Sequence, residues 1–292
     1  MSGLQAHLDC GATTIARAWA VVRTDGVVLG FTDHDRDLDF EGILFRASSG
    51  MTARALAQTT GLAVDNSEAL GALRDAALRE EDIAAGRYDG AEVRIWLVNW
   101  AEPAQRRLEF RGALGEITRT GGAFRAELRG LTEALSQPLG RVYRSGCSAV
   151  LGDGDCRFDL AQPGYTTEIP ADEVEGAQAF RFAALAGFDD RWFEGGRLEV
   201  LSGAAAGLAG VVKNDRLSAE ARLVELWQAL GAPVLPGDML RLSAGCDKRA
   251  ETCRLKFDNL LNFLGFPDIP GDDWLMAHPR QGSLNDGGSL KR

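Results

Sequence analysis

Histidine is scarce in this chain, and the common catalytic signatures are missing. Three histidines, His7, His34 and His278, are spread over 292 residues, with no Gly-x-Ser-x-Gly elbow, no Walker loop and no His-Glu-x-x-His pair. These gaps argue against hydrolytic, nucleotide-driven and zinc-peptidase chemistry, so the chain reads as a non-enzyme. Long apolar runs are also lacking. None approaches the roughly 18 residues of a membrane span, and no lipidation motif is present, so no membrane anchor is expected. Nor is there an excess of cations. Thirty-two Lys and Arg against 42 Asp and Glu leave a net charge of −10, the wrong sign for a surface that grips a phosphate backbone. An acidic surface can still line a conduit that DNA passes without sticking.

Cysteine is rare too, but its placement is informative. Of five cysteines, four fall in two close pairs, Cys147/Cys156 and Cys246/Cys253, with eight and six residues inside the pairs and 89 between them. Four converging thiolates are the ligand set of either a 4Fe-4S cluster or a tetrahedral zinc ion. Structural zinc sites space their paired cysteines two to four apart, so zinc is the second choice. Disulfides rank third. No charged-then-apolar leader opens the sequence, which predicts folding in a reducing cytoplasm. Glycines in Leu151-Gly152-Asp153-Gly154-Asp155 suit a loop wrapped around a ligand, and Arg144, Arg157, Lys248, Arg249 and Arg254 flank the thiols with positive charge, which favours thiolate. Cys10 stands alone and is read as an unrelated core thiol.

Thirty-five glycines and many short apolar segments predict a mainly β protein with short helices, in two β-rich domains. Hairpins are expected for Ala18 to Val22 with Val27 to Phe31 around Thr24-Asp25-Gly26, for residues 38–45 around Glu41-Gly42, and for Leu108 to Leu128 around Gly121-Gly122. Val93 to Val98 reads as a buried strand. Ser67 to Ala77 and Glu80 to Ala85 read as helices, the second closed by Gly86. Later strands are expected near 180–182, 197–201, 210–212, 223–228 and 239–242. Lys248 to Phe263 then reads as one helix, packing through Leu255, Leu260, Leu261 and Leu264. The boundaries expected are 1–140, 141–268 and an extended arm over 269–292, in which Trp274, Leu275 and Met276 form an apolar cluster suited to docking on a neighbouring subunit.

Other polar groupings have quieter readings. Thr32-Asp33-His34-Asp35-Arg36-Asp37 is dense enough for a catalytic metal site, but extended backbone sends successive side chains to opposite faces. A structural turn capped by Asp33 or Asp35 is the better reading. Trp96 and Trp100 are assigned to core or sheet packing, and Gly203 to Gly207 to a tight turn.

Three segments carry a family resemblance: Phe31 to Leu38, Glu81 to Val93, and the cysteine-rich second half ending Lys256-Phe257-Asp258-Asn259-Leu260-Leu261-Asn262-Phe263-Leu264-Gly265-Phe266-Pro267. Over nearly its whole length the chain resembles the baseplate hub, or tail tip, proteins of long-tailed phages and gene transfer agents. That resemblance implies a 4Fe-4S centre on Cys147, Cys156, Cys246 and Cys253. It also implies a homotrimer at the distal end of a virion tail, continuing the tail tube between a distal tail protein and a tip or fibre protein, with DNA passing through. The alternative is a cytoplasmic iron-sulfur or zinc protein in electron transfer or redox sensing.

Overall fold

The structure, a computed structural model, describes residues 3–47, 66–69, 79–120, 123–130, 140–183, 185, 187–219 and 221–269. The chain forms two compact units: Met1–Leu139 with Ser202–Leu208 and Leu230–Val234, and Gly140–Leu201 with Ala209–Ala229 and Leu235–Arg292. Each is built on a β-sheet with few, short helices. The mainly β class expected from composition is what is found.

The first unit contains helix α1 (Gly3–Asp9), then β1 (Ile15–Val22), β2 (Val28–Thr32), β3 (Leu38–Phe40), β4 (Ile43–Arg46), β5 (Asn66–Ala69), helix α2 (Glu80–Ala84), β6 (Glu92–Asn99), β7 (Arg106–Thr120) and β8 (Ala123–Gly130). The sheet order is β3-β4-β2-β1-β6-β7-β8-β5. Alternation along β1 and β6 covers both sheet faces. Trp19, Val21, Val93 and Ile95 join a core with Phe31, Tyr88 and Phe110. Their neighbours Ala18, Ala20, Trp96 and Val98 face the other way, onto Phe40 and Phe45. Glu41 and Gly42, at φ 55° and 72°, make the two-residue turn that matches strand twist and sets Phe40 opposite Ile43.

Two expectations for this unit need correction. Ser67 to Ala69 lie in β5, not in a helix, because residues 66–69 pair antiparallel with β8 and the ladder outweighs local propensity; the rest of that segment, to Ala77, lies outside the described residues. Trp100 is 40% exposed, its ring against His34 at 4.9 Å, whereas Trp96 is a true core residue. The Gly121-Gly122 turn lies outside the described residues.

The second unit contains β9 (Thr166–Pro170), β10 (Glu173–Glu175), β11 (Ala179–Phe182), β12 (Arg197–Val200), β13 (Ala209–Leu217), β14 (Arg222–Leu226), β15 (Met239–Ser243) and helix α3 (Ala250–Leu255). Its antiparallel sheet runs β10-β11-β14-β13-β12-β15-β9. Phe180, Phe182, Leu198, Val200, Val224, Leu226, Leu240 and Leu242 are fully buried at alternate positions. The long helix expected over Lys248 to Phe263 is cut short. Lys248 takes φ 65° and Asp258 φ 45°, conformations a right-handed helix excludes, and a 3-10 turn (Leu260–Asn262) follows α3. The buried face shifts accordingly: Phe257 is 4% exposed and Phe263 and Leu264 are partly buried, while Leu255, Leu260 and Leu261 face solvent. Trp274, Leu275 and Met276 lie outside the described residues.

Candidate metal centre

Loops and helix α3 of the second unit carry the four paired cysteines into one place. Cys147, Cys156, Cys246 and Cys253 line a single small pocket whose remaining walls include Ala149, Leu151, Phe257 and Phe263. Cys147, Cys156 and Cys253 are buried and Cys246 is half-buried; all are free thiols. Cys10 is an exposed thiol on the turn after α1, not a core one, its Sγ 2.8 Å from the His7 carbonyl.

Backbone hydrogen bonds set each cysteine. The Cys147 N–H donates to the Lys248 carbonyl at 2.8 Å, tying the first pair's loop to the second's across about a hundred residues of sequence. Asp153 organises the glycine-rich turn: its carboxylate accepts the N–H groups of Val150 (2.7 Å), Asp155 (3.0 Å) and Cys156 (2.6 Å), which hold it below the usual carboxylate range. Gly152 supplies the left-handed step at φ 83°. Gly245, before Cys246, donates to the Trp192 carbonyl at 2.9 Å. Cys253 sits on α3, which is only long enough to present it.

Burial dominates the electrostatics. It pushes the Cys253 thiol up to about 11, with the other three thiols adding to the shift, and it also raises Cys246. The flanking cations do not reverse this. Arg144 donates to the Cys147 carbonyl (3.1 Å), Arg157 to the Gly154 carbonyl (3.3 Å) and Lys248 to the Ala149 carbonyl (2.7 Å), while Arg249 is exposed beside Asp247. The expectation that these cations favour thiolate holds in part: Lys248 lowers the Cys246 thiol against the larger effect of burial, while the Arg144 and Arg157 side chains bond backbone oxygens. Two donors do face sulfur, the Leu264 N–H toward Cys147 Sγ (3.4 Å) and Asn259 Nδ2 toward Cys156 Sγ (3.5 Å).

Among the described residues, no group of three or more His, Cys, Asp or Glu is arranged to hold a metal ion, although all four thiols border the same pocket. The donor set itself, four sulfurs with apolar walls and N–H donors, suits a soft, sulfur-ligated group.

The Asp33-His34-Asp35 segment forms a turn. Asp33 accepts the Arg17 N–H (2.7 Å), Asp37 the Ala47 N–H (2.8 Å), and His34 Nδ1 the Arg36 N–H (3.0 Å). Asp33 caps as expected; Asp35 is exposed, its carboxylate 3.1 Å from His34. Gly203 and Gly207 bracket a turn at φ 81° and 84°. Lys256 and Asn259 also belong to the site, and the Lys256-Phe257-Asp258-Asn259 run is their only trace in the sequence.

Fold and site together define a β-rich protein of two sheets whose second unit is organised around four thiols. The family follows from comparison. Residues 1–159 match the family model "Baseplate hub protein, N-terminal attachment domain", and residues 191–273 match "Phage conserved hypothetical protein BR0599". A chain of the solved structure "Virion of native gene transfer agent (GTA) particle" is 62% identical, with a TM-score of 0.89, covering 99% of both chains. No curated protein matches. The chain belongs to the baseplate hub protein family of phages and gene transfer agents. No helix among the described residues is long and apolar enough to cross a membrane.

Proposed function

We propose that this chain is a structural baseplate hub of a phage-like tail, resident in the virion or in a gene transfer agent particle, and that Cys147, Cys156, Cys246 and Cys253 hold a 4Fe-4S cluster. The observation that carries the hub reading is the 62% identity over 99% of both chains with a virion component of a gene transfer agent. Support for the cluster comes from the pocket: four thiols from two segments far apart in sequence line it together, with N–H donors aimed at two of the sulfurs. A cluster with four protein ligands has no open iron for substrate, so its part is to fix the loops of the second unit. In this reading the hub acts as a homotrimer that continues the tail tube, joins a distal tail protein to a tip or fibre protein, and passes DNA without reading its sequence. Closed symmetry would bury surface that a single chain leaves bare. The hub has no enzymatic role in this account.

The test is incorporation. Replacing Cys253→Ser removes one ligand without adding bulk; particles assembled with this variant as the sole hub should be absent or lack the hub. Particles of normal composition and delivery carrying Cys253→Ser overturn the structural role of the site.

A further inference from the structure

The Lys256 to Leu264 segment supplies no cysteine, yet it bears on all four. Asn259 is its centre. The Asn259 side-chain Nδ2 donates to the Cys156 carbonyl at 2.7 Å and points to Cys156 Sγ at 3.5 Å. The backbone of the same residue meets the other pair: its N–H donates to the Cys253 carbonyl at 3.0 Å, and its carbonyl lies 3.3 Å from Cys253 Sγ. Asn259 thus touches one cysteine from each pair. The orientation of its amide is set by Asn262, whose Nδ2 donates to Asn259 Oδ1 at 2.7 Å and leaves the Asn259 amino group for the sulfur side.

Lys256 serves the remaining loop. Its Nζ donates to the carbonyls of Gly245 (2.9 Å) and Trp192 (2.6 Å) and lies 4.1 Å from the centroid of the Trp192 ring. It therefore fastens the residue before Cys246 to the end of α3. Leu264 completes the set with its N–H toward Cys147 Sγ. The early break of α3 now has a use, since a continued helix could not return Asn259 to Cys156.

Resting on the iron-sulfur reading above, we propose that Asn259 and Lys256 are positioning residues: they register the two cysteine pairs against each other, and the Asn259 N–H···S contact tunes the site. A donor aimed at a ligating sulfur withdraws charge from it and favours the more negative, reduced state, raising the reduction potential. The Lys256 ammonium, bonded to the carbonyl next to Cys246, acts in the same direction when protonated. Removing a partner of this kind costs metal sites roughly 10- to 100-fold in affinity.

The test compares the full chain with Asn259→Ala and Lys256→Met, each purified without oxygen and reconstituted with iron and sulfide. Three quantities are read: iron per chain, the rate of iron loss to a chelator, and the midpoint potential. Both variants should bind iron but release it about 10-fold faster or more, with a potential more negative than the parent's. If Asn259→Ala does not fold, Asn262→Ala, which frees only the amide's anchor, should show the same changes in smaller measure. Unchanged release and potential in iron-loaded variants overturn the positioning roles and leave the cluster reading intact. A parent chain that takes up no iron overturns the cluster reading itself, and the inference with it.

Discussion

A Cβ built on Gly245 would lie 1.8 Å from the carbonyl oxygen of Glu194. The backbone at Glu194 thus occupies the space any side chain at 245 would need, and φ plays no part in the requirement. Gly245→Ala must push apart the Trp192 to Gly196 loop and the strand end that delivers Cys246. Overpacking of this kind typically costs 1–3 kcal/mol, occasionally more. Chemical denaturation should show a loss of at least about that size, with weakened metal retention; a variant as stable and as well loaded as the parent would contradict the packing described.

The buried pair Asp215–Arg222 gives a second expectation. Both side chains are fully buried, 3.2 Å apart; Asp215 also accepts the Phe193 N–H at 2.8 Å, and Arg222 donates to the carbonyls of Phe188 and Asp189. Burial raises the Asp215 carboxyl despite its partner, and Asp215 Oδ1 and Arg222 Nε make no hydrogen bond. The pair is therefore costly to break and of small net benefit. Arg222→Met alone should lose about 3–5 kcal/mol by leaving a buried charge unpaired, and adding Asp215→Leu should restore part of that loss. A double variant no better than Arg222→Met would show that the bonds to Phe193 and the 188–189 carbonyls dominate.

In the cysteine-bearing segment, Phe257 and Leu261 should respond in opposite ways. Phe257, 4% exposed, packs edge-on against Phe158 with ring centroids 5.0 Å apart, while Leu261 is fully exposed. Phe257→Ala is expected to cost about 3–5 kcal/mol and Leu261→Ala less than about 0.5 kcal/mol. Similar losses at the two positions would support a continuous helix through this segment instead.

Acid should weaken both units in the same window. Glu92, hydrogen-bonded by Arg94 and Arg111, is lowered to about 2 from 4.5, and Glu194, hydrogen-bonded by Arg191 and Arg216, likewise. A depressed carboxylate contributes stability that is present above its unfolded pKa and lost as pH falls through the folded one. Thermal stability should therefore fall between pH 4.5 and about 2, and less steeply in a Glu92→Gln, Glu194→Gln double variant. Identical profiles would show that other groups control acid unfolding.

Most strands were legible because their residues alternate or form short apolar runs. Arg222 to Leu226 bury every second side chain, Val93 to Val98 is an apolar run that buries side chains on both faces, and Glu41-Gly42 has the chemistry its turn requires. β9 and β10 were not legible: both are polar strands at the sheet edges, held by a ladder on one side only. β5 was misread for a similar reason, its pairing with β8 being invisible in Asn-Ser-Glu-Ala. The cysteine site showed in spacing and flanking residues, but not its manner of support. The helix expected from Lys248 onward hid the return at Asp258 and Asn259, because leucines at 255, 260, 261 and 264 mimic a helical face.

The central claim is that four thiolates hold an iron-sulfur cluster in a baseplate hub. Iron, acid-labile sulfide and zinc per chain, measured on protein purified without oxygen together with its visible spectrum, test it most directly. The account predicts about four irons and four sulfides per chain and a brown colour. One zinc without colour, or no metal at all, would contradict it.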